Sequence, residues 1–175
     1  MRLQELFSIN ESESEEDLYY LLHDKEHVVK PGQKIKALER KLSKPDKCLV
    51  SLYRGIDKYN YEQLSHLVIG DKFTLKSYWS ASEYKSVANS FSKRYRTDKV
   101  VEILAPTNGF CLWQWGVDGL EALKSSDAEA YDQEDGDFLI DSYKEEAEWI
   151  MGIGQVFEVV ELLDGFPSKI VQINT

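Results

Sequence analysis

Two carboxylates, Glu146 and Glu148, stand at the head of the apolar run Trp149-Ile150-Met151, and any fold must give both of them a place. The run continues through Gly152-Ile153-Gly154-Gln155-Val156-Phe157 and reads as strand. In an extended strand residues i and i+2 point the same way, so Glu146 and Glu148 are expected to project together, with Glu145 and Ala147 facing the opposite side. Side-by-side carboxylates repel, and burying either without a cationic partner costs roughly several kcal/mol. Such a pair serves chemistry better than it serves stability.

Two upstream segments supply partners for it. Leu49-Val50-Ser51-Leu52-Tyr53 reads as a buried strand ending in Arg54 and Gly55, and Phe73 to Ser82 reads as a second strand ending in Ser80-Ala81-Ser82. Helical patterning is expected over Glu16–Val29, Gln33–Leu42, Tyr59–Val68 and Tyr84–Phe91, with Pro31-Gly32 separating the first two. After Pro106 the chain reads as β-rich, with strands over Phe110–Trp115, Glu148–Ile153, Val156–Leu162 and Lys169–Ile173. A chain of 175 residues that is 42% hydrophobic can bury one real core, so a single α+β domain is expected. No apolar run reaches the roughly 18 residues of a spanning helix, and the N-terminus lacks the basic-then-apolar order of a secretory signal. Both observations lead to the expectation of a cytoplasmic protein. Cys48 and Cys111 are too few for a disulfide framework and read as reduced, buried thiols.

A formal net charge of −10 argues against a nucleic-acid partner, because phosphate contacts need clustered cations. The charge is uneven. Lys25 to Lys47 is basic, whereas Asp127 to Glu148 carries ten carboxylates against the single cation Lys144. This acidic stretch reads either as a solvated loop or as a loop whose field gathers basic targets. No metal is expected: His23 and His27 have ligand spacing but no third ligand, and Asp132 to Asp137 lacks the glycine and glutamate offsets of a calcium loop. Glycine-rich phosphate loops and a Gly-x-Ser-x-Gly elbow are absent.

The order arginine, Ser-x-Ser, Glu-x-Glu, carried by Arg54, Ser80-Ala81-Ser82 and Glu146-Ala147-Glu148, resembles the signature of the arginine-specific mono-ADP-ribosyltransferases. The chain looks closest to the small bacteriophage enzymes that modify host proteins, and more distantly similar to the enzymatic domains of clostridial binary toxins. The resemblance spans about Leu49 to Val160 and includes Tyr53-Arg54-Gly55, the helical stretch after Ser82, the strand Val100–Leu104 and a Pro106-x-x-Gly109 turn. Gly152 departs from it, standing where the family often has proline.

The resemblance implies a β-sandwich core of two packed sheets with a helical N-terminal flank, forming one catalytic domain over residues 16–175. It also implies NAD as substrate, with ADP-ribose passed to an arginine of a target protein in a pentosyl transfer. Glu148 would hydrogen-bond the ribose 2'-hydroxyl and stabilise charge as nicotinamide leaves, the problem glycosidases solve with carboxylates. Glu146 would receive the forked N–H groups of the acceptor guanidinium and draw off its proton. Arg54 suits the NAD phosphates and ribose, and Gly55 the approach of backbone to the nicotinamide carboxamide. Ser80 would hold Glu148 and Ser82 would support the strand end. Phe91 falls where the family places an aromatic near nicotinamide, Arg94 or Arg96 would hold the pyrophosphate, and Tyr143 matches the aromatic that meets the target. Plainer roles stand beside these: a surface ion pair for Arg54, and a polar strand end or helix cap for either serine.

Met1 to Glu11, followed by the acidic Ser12 to Asp17, resembles the leader of proteins packaged in T4-like phage heads, trimmed after a Leu/Ile-x-Glu triplet such as Ile9-Asn10-Glu11. Residues 1–15 are accordingly expected to be a flexible acidic leader, and packaging in a virion with action in the host cytoplasm follows from it. An amphipathic first turn accounts for the same residues. Two other functions remain open: an NAD glycohydrolase that gives ADP-ribose to water, and an inactive copy of the fold used as a binding or virion protein.

Overall fold

The computed structural model describes residues 38–127, 129 and 131–173. The leader, the helix expected over Glu16–Val29, and His23 and His27 lie outside the described residues, as does the first part of the helix expected over Gln33–Leu42. The chain divides into two compact units: a sheet unit, Pro45–Phe110 with Glu148 onward, and a helical unit built on Cys111–Ala147 together with the residues up to Lys44.

The sheet unit holds strands β1 (Asp46–Cys48), β2 (Leu52–Gly55), β3 (Lys72–Thr74), β4 (Trp79–Ser82), β5 (Val100–Leu104), β6 (Thr107–Cys111), β7 (Glu148–Met151), β8 (Val156–Leu163) and β9 (Phe166–Ile173). They join in the order β1-β6-β7-β4-β2-β5-β9-β8-β3. β5 and β9 run parallel, whereas the pairs β1–β6, β2–β4, β2–β5, β3–β8, β4–β7 and β8–β9 are antiparallel. The stretch Phe73–Ser82 is therefore not one strand. β3 lies at the edge against β8, while β4 sits in the middle between β7 and β2.

Alternation explains which strands form: β5 buries Val101 and Ile103 between half-buried neighbours, the pattern of a strand with one core face. β7 is buried along its whole length, as a central strand covered on both faces must be. Leu52, Val101, Ile103, Ile150, Met151, Phe157 and Ile170 are fully buried in this unit. Two helices connect its strands, α2 (Lys58–Leu64) and α3 (Lys85–Arg94). α2 begins at Asp57, whose side chain accepts the Asn60 N–H. α3 packs against β2 where Gly55 has no side chain: a Cβ there would stand 2.3 Å from the Ala88 carbonyl and 2.7 Å from the Ser92 nitrogen.

The helical unit contains α1, described over 38–43, α4 (Leu112–Ser126) and α5 (Gln133–Glu146). The β-rich expectation for Phe110–Trp115 is corrected here, since β6 ends at Cys111 and α4 starts at Leu112. The acidic stretch is corrected as well: it is mainly helix. Asp132 caps α5 by accepting the Asp135 N–H at 2.9 Å, so the carboxylates once weighed as a calcium loop open a helix instead. Gly136, Ile140 and Tyr143 form its buried face. The Tyr143 ring fills the place of a side chain at Gly116, and Tyr131 does the same at Gly136. Lys124 and Asp137 then join α4 to α5 at 3.2 Å.

Candidate active site

β2, β4 and β7 are neighbours, and each brings one residue of the motif. Ser82 lies opposite Glu148, and Ser80 opposite Ile150. Side chains two residues apart share a face, so Ser80, Ser82 and Glu148 belong to one face, with Ser80 diagonal to Glu148. The Ser80 hydroxyl donates to Glu148 Oε1. Ser82 Oγ accepts the Tyr84 N–H at 3.0 Å, closing the turn into α3. Ser82 thus closes a turn at the strand end, and α3 itself begins after Tyr84 without a side-chain cap. Glu148 is 9% exposed and Ser82 4%.

Arg54 reaches the same strand through backbone. Its Nη1 donates to the Ser80 carbonyl at 2.8 Å, and its Cζ lies 4.9 Å over the Trp79 ring. Trp79 is buried in a stack with Phe73 and Phe157. Nη2 stands 3.6 Å from Asp57 Oδ2, a pair in which Arg54 keeps 15% side-chain exposure. Nε is buried and has no hydrogen-bond partner among the described residues. Burial pulls the Arg54 guanidinium below its ordinary value, while Asp57, Tyr95 and Glu148 act against that pull. An arginine stays charged through such a shift, so β2 presents a fixed cation close to the Ser80–Glu148 pair.

The remaining expected residues divide. Gly55 needs to be glycine because α3 packs on it, a reason the sequence reading did not contain. Phe91, on α3, is 37% exposed and stacks on Tyr95 at 6.2 Å, with Arg94 Cζ 5.3 Å over its ring. Arg94 ends α3, whereas Arg96 has left it in a left-handed conformation (φ 61°), and both are exposed.

Tyr143 is a correction: it is 2% exposed, on the inner face of α5 against Gly116, and so is not an aromatic on an open loop. The strand register of Glu146 is a second correction. Glu146 ends α5, Ala147 is left-handed (φ 42°, ψ 51°), and β7 begins only at Glu148, so strand alternation does not relate the two glutamates. Cys48 and Cys111 are buried and form no disulfide. Among the described residues no group of three or more His, Cys, Asp or Glu is placed to hold a metal ion, and no helix is long and apolar enough to cross a membrane.

Trp79 and Asp57 were absent from the sequence reading of the site. The only signal for Asp57 was its place as a capping residue before the helix it opens, and for Trp79 its position one residue before Ser80.

No family model and no curated protein matches the chain. Solved structures do. The ADP-ribosyltransferase Vis is similar with a TM-score of 0.51 at 16% identity, covering 83% of this chain and 58% of Vis. The chain has an ADP-ribosyltransferase fold. The type III effector XopAI from Xanthomonas axonopodis pv. citri, as a 70-residue N-terminal truncation, is similar with a TM-score of 0.50 at 12% identity, over 99% of this chain and 68% of the truncated one. The ADP-ribosyltransferase HopU1 of Pseudomonas syringae pv. tomato DC3000 gives 0.46 at 15% identity, over 81% of this chain and 52% of HopU1. The chain thus spans somewhat over half the length of Vis and HopU1.

Proposed function

We propose that this ADP-ribosyltransferase fold is an active enzyme that transfers ADP-ribose from NAD to arginine side chains of target proteins. One observation carries the proposal: the Ser80 hydroxyl holds the Glu148 carboxylate while the Arg54 guanidinium holds the carbonyl of the same serine, three motif residues joined on three adjacent strands. An inactive copy used only for binding has no need to keep that set together.

In the proposed reaction the bond between nicotinamide and ribose breaks, and nicotinamide leaves with the bonding electrons. Glu148, oriented by Ser80, stabilises the positive charge that develops on the ribose. Arg54 holds the phosphate side of NAD, with Arg94 or Arg96 on the pyrophosphate and Phe91 beside the nicotinamide. A target guanidinium nitrogen forms the new bond to the ribose carbon and gives its proton to Glu146. The leaving group, the new bond and the proton are then all accounted for.

Support for a basic target comes from α5. Phe138 is 70% exposed on its outer face, and Glu134, Asp141 and Glu145 are exposed within one helical turn or two of it. A cationic protein surface complements such a face. Within this reading 16–175 act as one catalytic domain. The setting is a host cytoplasm, with residues 1–15 as a leader for delivery in a phage head.

The glycohydrolase remains the second reading because the helix end at Glu146 removes the register argument that paired it with Glu148. Incubation with labelled NAD and bacterial lysate separates the two. Glu148→Gln should reduce nicotinamide release by on the order of 100- to 1000-fold. Glu146→Gln should abolish labelled protein bands and leave part of the hydrolysis. Nicotinamide release without labelled bands from the unaltered protein favours the glycohydrolase, and no release at all removes both enzyme readings.

A further inference from the structure

Arg54 is held on three sides, and one of its contacts is a carboxylate outside the motif. The guanidinium carbon lies 4.9 Å over the Trp79 ring, and the Ser80 carbonyl takes Nη1 at 2.8 Å. Asp57 Oδ2 faces Nη2 at 3.6 Å. Asp57 is itself anchored: Oδ1 accepts the Asn60 N–H at 2.8 Å and Oδ2 accepts from Asn60 Nδ2 at 3.2 Å. Asn60 is buried at 5% exposure, so the anchor reaches into the core. The corner that carries Asp57 is fixed too. Ile56 is fully buried, its N–H bonds the Lys99 carbonyl at 2.9 Å, and its own carbonyl receives the Thr97 hydroxyl at 2.5 Å.

An arginine that must find its geometry on binding loses the freedom of a long side chain, and fixing it beforehand removes that cost. Trp79 supports the guanidinium carbon without fixing its rotation. Ser80 holds one corner of the fork, and the Asp57 charge supplies a second point that opposes the rotation. We propose that Asp57 is the positioning residue for Arg54, aligning the guanidinium so that its remaining N–H groups meet the NAD phosphates without rearrangement. This rests on the reading of the site as an NAD site.

A carboxylate beside a cation could instead compete with the phosphates for its charge. Two features oppose competition. At 3.6 Å the pair is looser than a hydrogen bond, and both Asp57 oxygens are already engaged by Asn60. Asp57 is also first among the charges that counter the burial of Arg54.

Asp57→Asn tests the role, because asparagine caps a helix as well as aspartate while the charge facing Nη2, and with it the acceptor for Asn60 Nδ2, is lost. The KM for NAD should rise about tenfold, within the range of coupling between contacting residues, with kcat within about twofold and the melting temperature lowered only by the lost bond to Asn60 Nδ2. In an Arg54→Lys background the same substitution should have no further effect on NAD affinity measured by titration calorimetry. Asp57→Ala loses the cap as well and should lower the melting temperature in addition, which separates the structural role from the positioning one.

An Asp57→Asn enzyme that turns over NAD with an unchanged or lower KM overturns the proposal. So does an effect that persists in full when Arg54 is lysine. An unaltered protein that releases no nicotinamide and binds no NAD is a different failure: it removes the reading of the site, and the positioning role with it.

Discussion

Glycine makes room for rings in the helical unit and for backbone in the sheet unit. A Cβ at Gly116 would lie 2.3 Å from Tyr143 Cζ, and one at Gly136 2.3 Å from Tyr131 Cζ. A Cβ at Gly55 would meet the carbonyl of Ala88, and one at Gly109 the carbonyl of Ile150 at 2.8 Å. A displaced ring loses packing around itself. Displaced backbone carries with it every side chain on the same element. The helical unit should therefore register a packing change as lost stability, and the sheet unit should register it as lost NAD cleavage, because Arg54, Ser80, Glu148 and Phe91 all stand there.

Tyr143→Ala is the strongest challenge to that contrast. It empties the inner face of α5 and should cost about 4 kcal/mol by the range for large aromatic truncations, read from urea unfolding. Nicotinamide release per folded molecule should hardly change. A release rate that collapses while the protein remains folded would break the comparison. Gly55→Ala is smaller in stability, about 2 kcal/mol by the usual cost of overpacking, yet should reduce NAD turnover several-fold, because α3 must shift and takes Phe91 and Arg94 with it. Full activity with lowered stability would mean that the shift dissipates before it reaches the site.

The two units also differed in how far the sequence disclosed them. β5, β8 and β9 were legible because they are rich in β-branched residues; β5 formed over the expected residues Val100–Leu104, while β9 begins at Phe166, ahead of the expected Lys169. Phe110–Trp115 misled because a short apolar run has no period of its own; the helical signal lay downstream in Val117, Leu120 and Leu123, all buried. α5 was hidden for another reason. One of its inward positions is Gly136, so the stripe it shares with Ile140 and Tyr143 does not look apolar in the sequence. At the site, Arg54, Ser80 and Glu148 were found by motif and joined by geometry. The strand register expected for Glu146 fails because counting by two runs across a helix end, and the link of Asp57 to Arg54 was hidden because it turns a corner between strand and helix.

The smallest effect tests the polar side of the helical unit. Tyr131 donates to Asp137 Oδ1 at 2.6 Å, and Lys124 and Gln133 reach the same carboxylate. These bonds, that of Tyr131 first, hold Asp137 below its ordinary value, while burial and then the bond to Asp137 push the Tyr131 phenol up. The signs follow from linkage. Asp137 adds stability that is present above its unfolded value near 4 and is lost as pH falls through the folded value; Tyr131 adds stability that is full below its unfolded value near 10 and is lost as pH rises through the folded one. Tyr131→Phe should lower the melting temperature at neutral pH by about 2 °C, the shift that one lost hydrogen bond gives a chain of this size. The difference from the unaltered protein should shrink as pH falls below the ordinary carboxylate range and Asp137 becomes protonated, first in the variant and then in the unaltered protein. Lys124 and Gln133 still bind Asp137 in the variant, so its acid sensitivity should be reduced without vanishing. A difference that stays constant from pH 3 to pH 7 would mean that the phenol stabilises α5 only by its packing on Gly136, and the helical unit would then rest on rings alone.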